Sequence, residues 1–253
     1  MAYAKRFLTS PLLAGLLGIA GLAIALEFLV ANGLINGLVV ARPSHALASI
    51  PELNREQDLF ANAALTLGMT ASAILLSIVV GVPFGYFLYR YAKFGEAYEA
   101  WLAAAFSAPH VLLYPLFLVV FGRTYFTVVI MAFTSGVIPI ILQTRQGLAN
   151  INPTLINVGR NFNLPPRMMF RKIMLPAAVP SIFNGIRLGV MYTLVVVVAL
   201  EYLIDFGGLG RIVSQMYLLF EIPKTYASIL FVILVSIFFY ALFGRIERWL
   251  RPA

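Results

Sequence analysis

The chain has 253 residues, of which 61% are hydrophobic and 11% charged, whereas an ordinary globular domain has about 25% charged residues. A soluble fold cannot cover its surface with so few charges, which excludes a cytosolic enzyme, a disordered chain and a coiled coil. The absence of cysteine excludes disulfides, thiolate metal sites and a cysteine nucleophile. The net charge of +8 would suggest nucleic acid for a soluble protein, but here its meaning depends on where the charges lie.

Six apolar stretches are long enough to cross a bilayer core as helices, which takes about 20 residues each. They are too long for membrane-spanning strands, and the alternating pattern of a barrel is missing. The first stretch could be a signal peptide, but its apolar run exceeds the usual h-region, which favours an uncleaved anchor. The sequence therefore predicts an all-α membrane protein with a single domain, residues 1–253. The predicted spans are 7–31, 65–89, 100–121, 124–142, 182–204 and 225–244.

Lysine and arginine set the predicted orientation, since cytoplasmic loops carry an excess of them. With the N-terminus inside, thirteen of the eighteen Lys and Arg residues fall on the inner side. Both termini are therefore predicted to be cytoplasmic. The longest inner segment, 143–181, holds five basic residues and no acid. The basic excess thus reflects orientation in the bilayer and predicts no nucleic-acid partner.

Residues 143–181 predict two short helices that meet at an elbow. Asn152-Pro153 is a helix start, because Asn caps free N–H groups and Pro suits the first helical position. Asn163 can adopt the left-handed conformation that ends this helix, and Pro165-Pro166 can begin a second one, which is expected to stop before Leu175-Pro176. One face of the first helix carries Leu155, Val158, Gly159 and Phe162.

The apolar ridge of this elbow has two interpretations. The helix pair can lie on anionic lipid, because its basic residues suit a negatively charged surface. It can equally be a docking element for a soluble partner. Composition does not decide between them.

The stretch 157–176 resembles the loop of bacterial ABC-importer permeases that reads Glu-Ala-Ala, three residues, Gly, nine residues and Ile-x-Leu-Pro. Its end, Ile173-Met174-Leu175-Pro176, matches in full, whereas Asn157-Val158-Gly159 replaces Glu-Ala-Ala and Asn163 replaces Gly. Asn is the best substitute for Gly at a left-handed position, so the geometry can survive. Further segments resemble the permeases of the aliphatic sulfonate, taurine and nitrate importers: Arg42-Pro43-Ser44, Pro109-His110, Pro115-Leu116, Phe121-Gly122, Ala199-Leu200-Glu201 and Gly208-Leu209-Gly210.

This resemblance implies a type I importer permease, one half of a transmembrane homodimer or heterodimer in the bacterial inner membrane. Cytoplasmic ATPase subunits would dock on the elbow, and a periplasmic binding protein would deliver a small anionic solute such as a sulfonate, nitrate or bicarbonate. ATP and Mg would bind to the ATPase, and no cofactor is expected here, because the chain has no G-x-x-x-x-G-K-[ST] loop. The implied coupling residues are Leu155, Asn157, Val158, Gly159, Phe162, Asn163, Phe170, Ile173, Leu175 and Pro176.

Five residues are candidates for the solute path or its gate: His110, Tyr114, Glu201, Gly208 and Gly210. Ionisable residues inside a membrane are functional candidates by default, and the helix is expected to break at the Pro before His110. Structural alternatives stay open, since Glu201 can be an interfacial charge that snorkels or pairs with Arg211, and His110 can be bonded to a neighbouring helix. The segment 206–221 predicts either a gate-like helix at the outer mouth or a flexible turn.

Other membrane residues are interpreted structurally. Glu27 is expected to be an interfacial charge, and Arg187 is expected to snorkel to the cytoplasmic surface. Three G-x-x-x-G pairs predict close helix packing, because small residues let helix backbones approach. These pairs are Gly33–Gly37, Gly81–Gly85 and Gly185–Gly189.

Two other functions compete with the permease. An ion-coupled secondary carrier would use Glu27, His110 and Glu201 as a relay, but no inverted repeat is visible among the six spans. An intramembrane enzyme would need a constellation such as two His and a carboxylate. The chain has only His45 and His110, and His45 lies outside the predicted spans, so no active site can be assembled.

Overall fold

The computed structural model describes residues 11–250, with side chains from 13 to 245, and this range contains helices, turns and no strand. The start of the first predicted span, with Lys5 and Arg6 before it, lies outside the described residues. The helices are α1 (Pro11–Ala31), α2 (Pro43–Ala48), α3 (Ile50–Gln57), α4 (Leu59–Arg90), α5 (Ala92–Ser107), α6 (Tyr114–Phe121), α7 (Tyr125–Ala149), α8 (Pro153–Asn161), α9 (Pro166–Met169), α10 (Leu175–Ile204), α11 (Leu209–Leu218) and α12 (Ile222–Leu250).

Within the described range, five helical segments are long and apolar enough to cross a membrane, and the count is six if the bent pair α5 and α6 forms one span. This agrees with the six predicted spans, but the third was expected to be one helix over 100–121. It bends by 84° between its two halves. Pro109 lacks the N–H that would continue the helix, and a 3₁₀ turn, His110–Leu113, connects the halves.

The chain divides into two compact units, residues 61–211 with 232–253 and residues 1–60 with 212–231. In the larger unit, α7 is the central helix, and α4 and α10 pack against it through glycines. A Cβ at Gly81 would lie 2.9 Å from Cγ2 of Ile140, and one at Gly189 would lie 2.8 Å from the Gly136 carbonyl oxygen. The predicted close packing at Gly81–Gly85 and Gly185–Gly189 is confirmed.

In the smaller unit, residues 32–58 contain turns and the two helices α2 and α3. Nζ of Lys224 lies 3.0 Å from Oε1 of Glu52 and 2.9 Å from Oε2 of Glu56, so one cation joins two turns of α3 to the start of α12. The prediction of helix packing at Gly33–Gly37 is wrong, because Gly33 has a φ of +71° and both glycines lie in turns after α1.

Glu27 is more than an interfacial charge. Near the end of α1, its Oε2 accepts a hydrogen bond from the Ser44 backbone N–H at 3.0 Å, and its Oε1 accepts one from the Ser44 hydroxyl at 2.7 Å. Ser44 lies in the first turn of α2, where backbone N–H groups have no helical partner. Glu27 therefore ties the first long helix to the segment that follows it.

Candidate functional site

The elbow begins and turns as the sequence predicts. The Asn152 side chain accepts a hydrogen bond from the Thr154 backbone N–H at 2.9 Å and caps α8. Asn163 has a φ of +49°, which confirms the left-handed position after this helix. Gly159 is buried where α8 meets the following segment, because a Cβ there would lie 2.6 Å from Cδ1 of Ile173.

The second helix of the elbow does not stop before Leu175-Pro176, as the sequence analysis expected. α9 passes through a π-helical segment, Phe170–Met174, directly into α10, and the run Pro166–Ile204 forms one long helical segment. Pro176 follows the π-helical segment directly, where the regular α-helical hydrogen-bond pattern is already interrupted, so its missing N–H does not end the helix. The second helix of the elbow and the fifth span therefore form one continuous helical segment.

The ten predicted coupling residues divide into an inward and an outward group. Phe170 packs on Tyr86 of α4 with ring centroids 4.5 Å apart, and Ile173 and Leu175 are half-buried beside it. Outward side chains form what we call the elbow ridge: Leu155, Val158 and Phe162, which are 45%, 44% and 76% exposed. The exposed residues beside the ridge are Asn157, Asn163 and Pro176, with Arg160, Arg167, Arg171 and Lys172. The elbow ridge is thus an exposed apolar surface that is surrounded by basic residues.

A second group of predicted residues lies at the start of α11. Three consecutive backbone N–H groups there have side-chain acceptors: Gly208 donates to Oδ1 of Asn62 at 2.9 Å, Leu209 donates to Oγ1 of Thr66 at 3.0 Å, and Gly210 donates to Oε2 of Glu201 at 2.9 Å. These N–H groups have no partner within the helix, so the three side chains cap it. We call this arrangement the α11 cap.

The α11 cap requires both predicted glycines. Gly208 has a φ of +84°, and any Cβ there would collide with the Glu201 carboxylate. A Cβ at Gly210 would collide with the Val198 carbonyl oxygen and lie 2.8 Å from Cβ of Glu201. The absence of side chains lets the start of α11 lie against the end of α10, where Glu201 is fully buried.

The proposed pairing of Glu201 with Arg211 is wrong. Nε of Arg211 donates instead to Oδ1 of Asp205 at 2.8 Å, and Nη2 of Arg123 donates to the Asp205 carbonyl oxygen at 2.6 Å. Asp205, rather than Glu201, therefore attracts the two exposed guanidinium groups at this end of α10. The sequence prediction of a short helix in segment 206–221 is confirmed by α11.

His110 lies in a different place, on a cavity of about 360 Å³ at the break between α5 and α6. Tyr114 is half-buried in the neighbouring apolar core, together with Val128 and Leu200. The structure therefore separates the five predicted path residues into the α11 cap, the cavity and the core. The cavity is lined by Phe106, Ser107, Ala108, Pro109, His110, Val111, Ser135, Tyr192 and Val196.

Sequence reasoning missed Ser135 and Tyr192, which come from α7 and α10 to face the broken span. Ser135 is 2% exposed, and among the residues that the structure describes none gives its hydroxyl a hydrogen bond. The rings of Tyr192 and Phe106 meet edge to face, with centroids 4.5 Å apart. The polar pair Thr134-Ser135 in the middle of the fourth span was a signal available in the sequence.

The family model described as binding-protein-dependent transport system inner membrane component matches residues 73–252. The Formylaminopyrimidine transport permease protein ThiX of Halalkalibacterium halodurans is 25% identical over 197 residues, which are 78% of this chain and 79% of that protein. The Nitrate import permease protein NrtB of Leptolyngbya laminosa is 27% identical over 197 residues, 78% of this chain and 71% of that protein.

Among solved structures, this chain is similar to one chain of the MetNI methionine ABC transporter in an inward facing conformation. The TM-score is 0.60 at 24% sequence identity, and the match covers 73% of this chain and 92% of that chain. This likeness establishes the fold of a type I ABC-importer permease.

Proposed function

Because the chain belongs to the family of binding-protein-dependent transport system inner membrane components, a multi-pass permease family, we propose that it forms the solute path of an ATP-driven importer. The elbow ridge carries this proposal. Leu155 and Val158 on α8 and Phe162 directly after its end are exposed together, and the Asn152 side chain caps the start of this helix. An apolar patch rimmed by polar and basic groups is typical of a protein interaction site. The occupant is a cytoplasmic ATPase subunit.

The division of labour follows from this assignment. ATP and Mg bind to the ATPase subunits, a periplasmic binding protein delivers the solute, and a second permease chain completes the path. This chain supplies translocation and no hydrolysis. The basic residues around the elbow ridge support a cytoplasmic location for it, and both termini then lie in the cytoplasm.

The α11 cap fixes the position of a short helix, α11, at the outer end of the proposed path. Glu201, Gly208 and Gly210 hold the start of α11 against the end of α10, and His110 lines the cavity in the broken third span. In this proposal α11 is the outer gate, and the α11 cap sets the position of its first turn.

Two relatives are named for chemically different solutes, a formylaminopyrimidine and nitrate. Nitrate supports the anionic solute that the resemblance predicts, whereas a formylaminopyrimidine is a heterocycle. The charge of the solute must therefore be argued from the path itself.

An ion-coupled carrier using Glu27, His110 and Glu201 has weaker support. Glu27 is engaged by Ser44, and Glu201 by the Gly210 N–H. These two carboxylates already have structural tasks, and no second observation favours a proton or sodium relay.

Two measurements test the importer. Affinity purification of the tagged chain from its own membranes should recover an ATPase subunit, identified by mass spectrometry. Membrane vesicles should take up solute when ATP is present and a protonophore has removed the proton gradient. Uptake that stops with the protonophore while ATP remains, in preparations without an associated ATPase, would contradict the proposal.

A further inference from the structure

We propose that the cavity at the break of the third span, between Ser135, Tyr192 and His110, is a binding site for a small ring-shaped solute without net charge. This inference rests on the proposed import function and adds the chemical class of the solute. The cavity, which we call the break cavity, has a volume of about 360 Å³. Small-molecule pockets run from about 300 to 1,000 Å³, so a single-ring compound is the matching size.

The Ser135 hydroxyl supplies the first argument for a ligand. It is almost fully buried, lines the break cavity, and has no hydrogen-bond partner among the residues that the structure describes. A buried hydroxyl without a partner is unfavourable, and such groups in native proteins call for an explanation. A solute that hydrogen-bonds to Ser135 removes this penalty. The hydroxyls of Thr144 and Thr193 have the same lack of partner, but neither residue lines this cavity.

The side chains that line the break cavity suit an uncharged solute better than an ionic one. Among the described residues that line the break cavity there is no Asp, Glu, Lys or Arg. An ion inside a membrane protein is strongly disfavoured unless an opposite charge or a full set of hydrogen bonds compensates its lost hydration. The end of α5 at Ser107 and the start of the 3₁₀ turn at His110 both form part of the wall, and their opposite partial charges leave no net field that favours an anion. An anion is therefore less suitable than an uncharged molecule.

The remaining wall favours a planar, polar ring. Phe106 and Tyr192 meet edge to face at 4.5 Å and present aromatic surface, while Val111 and Val196 add aliphatic surface. Aromatic pairs accept a further ring at their faces or edges. The hydroxyls of Ser135 and Tyr192 and the imidazole of His110 can both donate and accept hydrogen bonds. A heterocycle with ring nitrogens or amino groups uses all of these features together.

The break in the span places these groups in one cavity. A continuous helix would fill this position with its own turns, whereas the chain bends by 84° and leaves Pro109 and the 3₁₀ turn at the wall. Irregular backbone at membrane depth is tolerated where it lines a cavity. The bend thus explains how Ser135 of α7 and Tyr192 of α10 come to line the same cavity as His110.

The natural absence of cysteine makes the test direct. Ser135→Cys places one thiol in the break cavity, and Val111→Cys provides a second reporter if the first variant does not fold. Thr144→Cys is the matched control, because Thr144 lies on the same helix, is 1% exposed and also lacks a partner for its hydroxyl among the described residues. Each full-length variant is kept in native membrane vesicles and treated with methyl methanethiosulfonate, which is uncharged.

The Ser135→Cys thiol should react at least about tenfold faster than the Thr144→Cys thiol, because a thiol in a packed core reacts only after local opening. Aminopyrimidine, an uncharged ring compound, should slow the reaction at Ser135→Cys, whereas ethanesulfonate at the same concentration should not. With negatively charged sulfonatoethyl methanethiosulfonate, the Ser135→Cys thiol should no longer react faster than the Thr144→Cys thiol. Each rate is first corrected for the rate of the reagent with a free thiol.

Three results would overturn the inference. If both reporters react no faster than Thr144→Cys, the break cavity is not accessible. If ethanesulfonate protects and aminopyrimidine does not, the site takes an anion. If neither compound protects, the ring class is wrong. The labelling needs no ATP hydrolysis, and ATPase subunits in the same vesicles are quantified separately. A protected thiol without an ATPase would refute the import function alone, and an ATPase without protection would refute the solute site alone.

Discussion

The amide nitrogen of Gly210 lies 2.9 Å from Oε2 of Glu201 and donates a hydrogen bond to it. The bond joins the first turn of α11 to the last turns of α10 across a sharp turn of the chain. It turns an acid that sequence reasoning assigned to the solute path into a helix cap. A role for Glu201 at the gate must therefore act through the position of α11.

Replacement of Glu201 tests this cap. Glu201→Ala leaves the buried Gly210 N–H without its acceptor, and should lower the free energy of unfolding by about 1 to 3 kcal/mol. Glu201→Gln keeps an acceptor oxygen for the Gly210 N–H and should therefore lose less stability than Glu201→Ala. The measurement is thermal or denaturant unfolding of the purified complex. Asp205→Asn is the control, because it removes an exposed charge at the same end of α10. Equal losses in Glu201→Ala and Asp205→Asn would contradict the cap.

Gly208→Ala tests the close approach of the turn to the Glu201 carboxylate. The new Cβ would collide with that carboxylate at a φ of +84°, so the variant should lose more than about 1 kcal/mol of stability. Gly18→Ala is the matched control in α1, where a Cβ meets no atom within 4 Å. That variant should be unchanged or slightly more stable. Similar unfolding midpoints for both variants would show that the turn can relax.

Phe162→Asp tests the elbow ridge. A charge at this 76% exposed position should disrupt an apolar interface while leaving the membrane fold intact. The amount of ATPase that copurifies should fall by about tenfold or more, the effect of losing roughly 1.4 kcal/mol or more of binding free energy. Phe220→Asp, at an 84% exposed position assigned to the outer side, is the control and should keep its ATPase. A full complement of ATPase on Phe162→Asp would contradict the docking assignment.

Asn163 tests the geometry of the elbow. At a φ of +49°, Asn163→Val should cost about 1 to 2 kcal/mol, because β-branched residues resist the left-handed conformation. The population of the docking-competent elbow should fall by a factor of about 5 to 30, and solute-stimulated ATP hydrolysis should fall with it. Asn163→Gly adopts this φ without strain and should retain activity. Full activity in Asn163→Val would refute the geometric role.

Local features of this chain were predictable from sequence, whereas contacts between distant segments were not. The caps at Asn152 and Asn163 depend on neighbouring residues, and the structure confirms both. Long apolar runs identify the spans because a bilayer demands them. The alternative pairing of Glu201 with Arg211 was wrong, because Arg211 and Gly210 are almost equally near in sequence and only packing selects the amide.

The break cavity could not be predicted from sequence for the same reason, because contacts between distant segments form it. The sequence indicated a break at Pro109 but gave no measure of the 84° bend, which depends on how α6 packs. Ser135 and Tyr192 join His110 only through the packing of three helices, so no local pattern identifies them. The second helix of the elbow was predicted to end before Leu175-Pro176 because proline usually stops a helix, yet here the helix continues past Pro176 through a π-helical segment that the sequence does not reveal.

The union of the elbow with the fifth span has a mechanical consequence. Residues 166–204 form one helical segment of 39 residues, and the segment approaches α7 closely at Gly189, where an added Cβ would lie 2.8 Å from the Gly136 carbonyl oxygen. At about 1.5 Å per residue, the arm from Gly189 to the elbow is roughly 35 Å and the arm to Ile204 is roughly 22 Å. If Gly189 acts as a fulcrum, a sideways push on the elbow moves the Glu201 end in the opposite direction by about two thirds as much. The Glu201 end of the helix then moves less than the elbow end, with a correspondingly larger force.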